Sequence, residues 1–347
     1  MSDTRDLAHR FAALAALGFE RAEEVSVQRE VVPVDRRSHR VVHTRPAMGT
    51  LASVSALSGS TARADEAIGR AFDEMDRLVG IFSHYDGASA ASLLNAEGRI
   101  ECPPRELARV VLDAMDFHRL TRGGFDISVA PVVELFRARV DGTLPDAAEV
   151  RAALELVGAG HVTVSDRRIG FGRSGMRVTL DGIAKGYIVD AMAAVLERYR
   201  IRDYLVEAGG DIRARGVRER GRPWRVAIQD PEKGDAFPDT IDLSGRAVAT
   251  SGSYESYFDP EHAHHHIVYA DTGSSPRYSS SVTVSAPTAM AADALATSVF
   301  LMEPRAGVGF VNTLRGCECL IVQRDGTQLT SKGWCSAAPL NKGEVDA

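Results

Sequence analysis

The chain has 347 residues, of which 44% are hydrophobic and 25% charged, close to the average for soluble globular proteins. This composition excludes a disordered or fibrous chain. A net charge of -6 gives no basic surface that could neutralise a nucleic-acid backbone, so no nucleic-acid partner is expected. No run of about 18 apolar residues exists, which predicts no membrane span. The first residues match no export signal, and the expected location is therefore cytoplasmic.

The first half of the chain predicts three helices after a strand. Residues 1–40 show no clear period and are interpreted as a helix and an irregular lead-in outside the core. Alternation over 47–57 predicts a strand. Apolar residues at three- and four-residue steps predict helices over 61–82 and 105–120, and a shorter one over 147–156.

The second half predicts short strands separated by turns. Three strands come first, and a helix over 183–199 follows them. The predicted strands are 161–165, 168–172, 177–180, 204–207, 224–228, 247–250, 280–285 and 320–323, with a last helix over 288–302. This order favours an α+β fold over a regular βαβ repeat. Because no long linker is visible, the simplest division is an N-terminal extension, 1–40, and one composite domain, 41–340.

The run from Val282 to Met302 joins a strand to a helix that carries two oxygen-bearing side chains. Thr288 is a good N-cap for this helix. Asp293 and Thr297 are four residues apart and share its inward face. A buried carboxylate needs a partner, and a carboxylate with a hydroxyl suits a hard cation such as Mg²⁺. By spacing alone, an ordinary helix with a boundary Asp and a back-bonding Thr remains the commoner explanation.

A second segment places a lysine at the start of a helix. A strand is predicted to end in Asp181-Gly182, and the next helix begins at once. Lys185 then lies in the first turn, where its charge opposes the helix dipole. A phosphate bound at the helix N-terminus would explain the lysine. A plain strand–glycine–helix turn is the alternative.

Four further segments have both a functional and a structural explanation. The Gly209-Gly210 pair permits either close approach of a ligand or a tight turn. The histidine cluster over 262–266 could bind metal or lie solvated in a loop. Tyr85 could stack on a flat ring or pack on the core. Cys317 and Cys319 share one face of a strand, and without a second pair we expect free thiols rather than zinc ligands.

A series of short segments occurs in order along the chain: Ala47-Met48-Gly49-Thr50, Phe82-Ser-x-Tyr85 with Ser92-x-x-Asn95, Gly123-Gly124-Phe125-Asp126, Gly182-Ile-Ala-Lys-Gly-Tyr, Gly209-Gly210-Asp211-Ile212-Arg213, Ala249-Thr-Ser-Gly, His266-Ile with Thr272-Gly273, and Ala286-Pro-Thr-Ala-Met with Ala292-Asp-Ala-Leu-Ala-Thr. Taken together, this series resembles the ApbE family, the FAD:protein FMN transferases. The resemblance favours the functional interpretation of Asp293, Thr297 and Lys185.

The resemblance implies a T-fold-like α+β domain with an FAD site and a magnesium site. Lys185 would lie near the FAD phosphates and Ile267 beside the flavin. The implied FAD-binding residues are Met48, Tyr85, Gly124, Phe125, Asp126, Asp181, Lys185 and Ile267. Asp293 and Thr297, with the backbone carbonyl of Gly182, would hold Mg²⁺.

The implied reaction transfers FMN from FAD to a Ser or Thr hydroxyl of a partner flavoprotein domain and releases AMP. His266 or Asp293 would accept the hydroxyl proton. Two alternatives stay open: a Mg²⁺-dependent FAD pyrophosphatase that yields FMN and AMP, and an FAD-binding protein without turnover. A monomer or a homodimer is expected.

Two segments depart from the family pattern. The family has Asp-Leu-Gly-Gly where this chain has Thr179-Leu-Asp181-Gly182, so the carboxylate stands two positions later. The family's His-Ile-Ile-Asp-Pro becomes His266-Ile-Val-Tyr269-Ala270. Many members are exported lipoproteins, a feature for which this sequence shows no pattern.

Overall fold

The structure, a computed structural model, describes residues 28–139, 143–231 and 237–337. The helix expected near the N-terminus lies outside these residues. Eight α-helices occur in the described parts: α1 Thr61–Phe82, α2 Ala90–Glu97, α3 Arg105–Leu120, α4 Ala130–Arg137, α5 Ala147–Leu154, α6 Ala184–Arg198, α7 Ala289–Phe300 and α8 Pro304–Val311.

The same residues form fourteen strands. They are β1 Gln28–Pro33, β2 His39–Ala47, β3 Thr50–Ser58, β4 Arg99–Glu101, β5 Val162–Val164, β6 Arg168–Phe171, β7 Asp203–Ala208, β8 Asp211–Arg215, β9 Trp224–Ala227, β10 Thr240–Leu243, β11 Arg246–Gly252, β12 Ser279–Ala286, β13 Glu318–Gln323 and β14 Gln328–Thr330.

One antiparallel sheet of nine strands organises the molecule, in the order β1-β2-β3-β7-β8-β11-β12-β13-β14. Helices α1, α6 and α7 pack on one face of it. The β9–β10 hairpin covers part of the other face, where Trp224 is fully buried against Leu205 and Val248. Side chains alternate accordingly, since Val206 belongs to the helix-side core and its neighbour Leu205 to the hairpin side.

The α+β class predicted from the sequence is confirmed by this mixture of helices and antiparallel strands. The helices predicted over 61–82 and 105–120 have those bounds in the structure. The interpretation of residues 1–40 as a helix and an irregular lead-in outside the core was wrong in part, because Gln28–Pro33 pairs with β2 as the edge strand of the sheet. Among the described residues, no helix has both the length and the apolar character needed to span a membrane.

The strand predicted over 47–57 was wrong at its start. Met48 and Gly49 form the turn of the β2–β3 hairpin, with φ of 51° and 75°. Two-residue hairpin turns favour positive φ at both central positions, and a methionine is an uncommon occupant. Met48-Gly49 lacks the Asn-Gly or Asp-Gly pair that usually marks such a turn. The sequence therefore predicted the start of a strand at this point instead of a turn.

The strand predicted over 177–180 was also wrong. Its backbone bonds to a side chain instead of a neighbouring strand: Asn95 Nδ2 donates to the Val178 carbonyl at 2.8 Å, and the Val178 N–H donates to Asn95 Oδ1 at 2.8 Å. The Thr179 N–H donates to the Ile127 carbonyl. These contacts hold the segment extended and lead it to Asp181-Gly182 at the start of α6.

Candidate active site

Helices α6 and α7 meet without room for a side chain at Gly186. A Cβ built on Gly186 would lie 2.4 Å from the carbonyl oxygen of Ala289. The Gly186 N–H donates to Asp293 Oδ2 at 3.1 Å, and Asp293 is only 5% exposed. The close packing therefore turns the buried carboxylate of α7 toward the first turn of α6, where a carboxylate is favoured by the helix dipole.

Thr297 lies one turn further along α7, next to Gly182. A Cβ on Gly182 would lie 2.9 Å from Thr297 Oγ1 and 3.4 Å from the ring of Phe125. Ser251 Oγ is 3.1 Å from Thr297 Oγ1. The fold thus gathers Gly182, Asp293 and Thr297, the three residues predicted to hold Mg²⁺, around the start of α6.

The donor set at this point consists of oxygen atoms: a carboxylate, a hydroxyl and a backbone carbonyl. Hard cations such as Mg²⁺ prefer oxygen ligands and commonly take only one or two carboxylates from the protein. Within the described residues no cluster of three or more His, Cys, Asp or Glu side chains has a metal-binding arrangement. One carboxylate, one hydroxyl and one backbone carbonyl are nevertheless donors that Mg²⁺ accepts.

A second carboxylate, on α6, holds the N-terminus of α7. Asp190 accepts hydrogen bonds from the N–H groups of Ala289 at 2.9 Å and Met290 at 3.0 Å. Arg213 Nη1 donates to Asp190 Oδ1 at 2.8 Å and to the Pro287 carbonyl at 3.1 Å. Burial raises the pKa of Asp190 while the two N–H groups oppose that rise. Asp190 and Arg213 together therefore stabilise the N-terminal end of α7, which is the end nearer Asp293.

Lys185 reaches from α6 to the turn between β7 and β8. Its Nζ donates to the Gly209 carbonyl at 3.0 Å and is 3.6 Å from Asp211 Oδ1, whose residue is 1% exposed. Gly209 has φ of 55°, and a Cβ there would lie 2.7 Å from Thr50 Cγ2. The Met48 turn therefore lies beside the Gly209 turn, so that two predicted FAD-binding residues, Met48 and Lys185, share one end of the sheet.

The segment from Gly124 to Asp126 brings an aromatic ring to the site and uses its carboxylate for support. Asp126 Oδ1 accepts from the Ser128 N–H at 2.8 Å, and Oδ2 accepts from the Ala159 N–H at 3.1 Å. Its side chain is 3% exposed. Phe125, in contrast, approaches Gly182. Phe125 is thus the member of this segment placed beside the predicted metal ligands.

Tyr85 and Asp181 lie on the outer side of the same region. Tyr85 is 73% exposed, and the ring of the preceding His84 lies against it with centroids 3.9 Å apart. His84 Nδ1 is 3.2 Å from Asp181 Oδ1. Since Asp181 precedes Gly182, these two predicted FAD-binding residues border the start of α6.

The histidine segment packs on α7, where the ring of His265 lies 5.6 Å from that of Phe300. His265 is fully buried, and burial lowers its pKa to about 4. Its Nδ1 accepts the Ile267 N–H at 3.3 Å, and its Nε2 is 3.2 Å from the Pro276 carbonyl, which makes Nε2 the protonated nitrogen. Ile267 packs with the core residues of α7. The His266 N–H donates to the Ser256 carbonyl at 3.3 Å.

A family model described as the ApbE family matches residues 48–321. The chain belongs to the ApbE family. The FAD:protein FMN transferase of Salmonella typhimurium is 32% identical over 267 residues, covering 74% of this chain and 76% of that protein. The Escherichia coli protein of the same name is 29% identical over 304 residues, covering 83% and 85%.

Solved structures agree with this family assignment. The flavin transferase ApbE from Vibrio cholerae has a TM-score of 0.74 at 27% identity and covers 85% of this chain and 98% of its own. The ApbE protein from Thermotoga maritima has a TM-score of 0.75 at 31% identity and covers 88% and 97%. The α+β architecture predicted from the sequence is therefore shared with known ApbE structures.

Sequence reasoning missed three residues that contact the candidate site. Asp190 supports α7, Ser251 contacts Thr297, and His84 contacts Asp181. A charged residue on the otherwise apolar inner face of α6 was the one visible sign of Asp190. Nothing in the local pattern marked His84, because its partner lies in a distant segment.

Proposed function

We propose that this chain is an FAD:protein FMN transferase, which moves FMN from FAD to a Ser or Thr hydroxyl of a flavin-accepting protein and releases AMP. The observation that carries the proposal is the meeting of Gly182, Asp293 and Thr297 at the start of α6, with Lys185 in its first turn. The names of the relatives support the same activity. Phosphoryl chemistry of this kind needs charge stabilisation and positioning, and this arrangement offers both.

The oxygen donors fit Mg²⁺, which Asp293, Thr297 and the carbonyl of Gly182 would hold. Bound there, the ion would neutralise charge on the FAD pyrophosphate. Lys185 would bind a phosphate oxygen in exchange for its contact with the Gly209 carbonyl. Phe125, Tyr85, Met48 and Ile267 would line the rest of the FAD site, as their positions around α6 and α7 support.

In the transfer, the acceptor hydroxyl oxygen forms a bond to the FMN phosphorus while the bond from that phosphorus to the AMP oxygen breaks. The hydroxyl proton must go to a base, for which His266 and Asp293 are the candidates. We favour His266, because Asp293 already accepts the Gly186 N–H and would belong to the metal ligand set.

The direct test combines the purified chain with FAD, Mg²⁺ and a flavin-accepting domain. We expect the acceptor to become covalently fluorescent and to gain the mass of one FMN. Free FMN and AMP with unmodified acceptor would replace the transferase by an FAD pyrophosphatase. Retention of intact FAD without either product would refute both enzymatic functions and leave an FAD-binding protein.

The metal ligands are tested with two variants and one control. Asp293→Ala removes the carboxylate and Thr297→Val the hydroxyl, and we expect the first to abolish transfer and the second to raise the Mg²⁺ concentration needed. Ser298→Ala is the matched control, because its buried hydroxyl donates to the Ala294 carbonyl within the same helix. Undiminished Mg²⁺-dependent transfer by Asp293→Ala would remove the metal assignment.

A further inference from the structure

His84 is held at both edges of its ring. Nδ1 donates toward Asp181 Oδ1 at 3.2 Å, and Arg137 Nη1 is 3.4 Å from Nε2. The His84 side chain is 25% exposed and that of Asp181 47%. Contacts at opposite edges of a planar ring fix its orientation, which a single contact would leave free to rotate.

The fixed histidine lies directly against Tyr85. The ring centroids are 3.9 Å apart with an interplanar angle of 39°. The backbone of this segment is fixed as well, since the Tyr85 N–H donates to Ser83 Oγ at 3.3 Å and Ser89 Oγ donates to the Ser83 carbonyl at 2.5 Å. Tyr85 is nevertheless 73% exposed, so the ring is supported from behind while much of its surface stays accessible.

This arrangement accounts for a departure from the family pattern. The carboxylate that the family has two positions earlier stands at Asp181, immediately before the predicted metal ligand Gly182. There the carboxylate lies 3.2 Å from His84 Nδ1. Asp181 also joins the turn that carries Gly182 to the segment that carries Tyr85.

We propose that His84 and Asp181 form a support that holds the Tyr85 ring in place for stacking on a flat heteroaromatic ring of the substrate. The inference rests on the proposed function, in which that substrate is FAD. The isoalloxazine and the adenine share the required chemistry. A supported aromatic side chain loses little freedom on binding, so more of the stacking energy appears as affinity. His84 and Asp181 are positioning residues, which act through Tyr85.

The test measures equilibrium binding of FAD, FMN and AMP without acceptor or Mg²⁺. Flavin fluorescence reports the binding of FAD and FMN, and calorimetry reports the binding of AMP. We expect His84→Ala to weaken binding of the ring-bearing ligand about threefold to tenfold, the range of one aromatic stacking interaction. Asp181→Ala should weaken it in the same direction. Loss confined to FMN assigns the isoalloxazine to Tyr85, and loss confined to AMP assigns the adenine.

The decisive comparison uses the Tyr85→Ala background. Because His84 acts through Tyr85, adding His84→Ala to Tyr85→Ala should cause no further loss. Arg177→Ala is the matched control: it breaks an exposed ion pair with Glu134, and FAD binding should not change.

Two results would overturn the support. One is FAD binding by His84→Ala equal to that of the unaltered chain, and the other is a His84→Ala effect that persists undiminished without Tyr85. These results differ from failure of the proposed function itself, which would appear as absence of FAD binding by the unaltered chain.

Discussion

A methyl group at Gly186 tests how closely α6 and α7 must approach. The added Cβ would lie 2.4 Å from the Ala289 carbonyl oxygen, 2.6 Å from its carbon and 2.7 Å from the Met290 Cα. All three are backbone atoms and cannot rotate away. Carbon atoms pack best at about 3.5–4.0 Å, so the helices would have to separate by about 1 Å.

Two effects oppose each other in Gly186→Ala. Alanine favours a helix interior over glycine by about 1 kcal/mol. Overpacking costs about 1–3 kcal/mol, and occasionally more. Because contacts below 3 Å to backbone are severe, we expect overpacking to dominate, with a net loss of about 2 kcal/mol in the free energy of unfolding. The same displacement should lengthen the bond from the Gly186 N–H to Asp293.

Urea denaturation followed by circular dichroism measures this change. Gly69→Ala is the matched control, because it lies in α1 with no atom within 4 Å of the added Cβ. There the helix preference acts alone, and stability should rise by up to about 1 kcal/mol. The reasoning is refuted if Gly186→Ala is as stable as Gly69→Ala.

Two further predictions concern stability. Asp190→Ala should lower the free energy of unfolding by about 2 kcal/mol, because two N–H groups of α7 and Arg213 lose their partner. Asp190→Asn should lower it by less. Equal stability in urea of the unaltered chain and both variants would contradict this. His265 is held neutral by burial, with its pKa lowered from 6.5 to about 4. As the pH falls from 6.5 to about 4, His265 binds a proton in the unfolded chain but not in the folded chain. The free energy of unfolding should therefore decline by up to about 1.4 kcal/mol per pH unit. That part of the slope should vanish in His265→Gln, and an unchanged slope would exclude His265 as its source.

The parts of the fold that the sequence predicted well are those with a strong local pattern. Helix α1, over Thr61–Phe82, has an apolar stripe and a Ser60 cap, and its bounds were found without any tertiary information. The weak parts depend on context. Edge strand β1 is largely exposed and shows little alternation, and α8 begins with a proline and contains two glycines.

The candidate site divides in the same way. Asp293 and Thr297 are four residues apart on one helix, so the sequence indicated that they share a face, although spacing alone favoured a structural role. The bonds from Asp190 to Ala289 and from His84 to Asp181 join segments about 100 residues apart in sequence. Such contacts arise only from the packing of α6 against α7 and against the segment after α1. The sequence contains both partners but not their pairing.

The most direct test of the transferase function is the stoichiometry of AMP release and acceptor flavinylation in one reaction. FAD, Mg²⁺ and the chain are mixed with an acceptor domain or with its variant in which the target Ser or Thr is replaced by Ala. We predict one AMP released for each FMN covalently attached, and neither product with the variant acceptor. AMP release that continues at the same rate with the variant acceptor, without any acceptor gaining the mass of FMN, would contradict FMN transfer as the function of this chain.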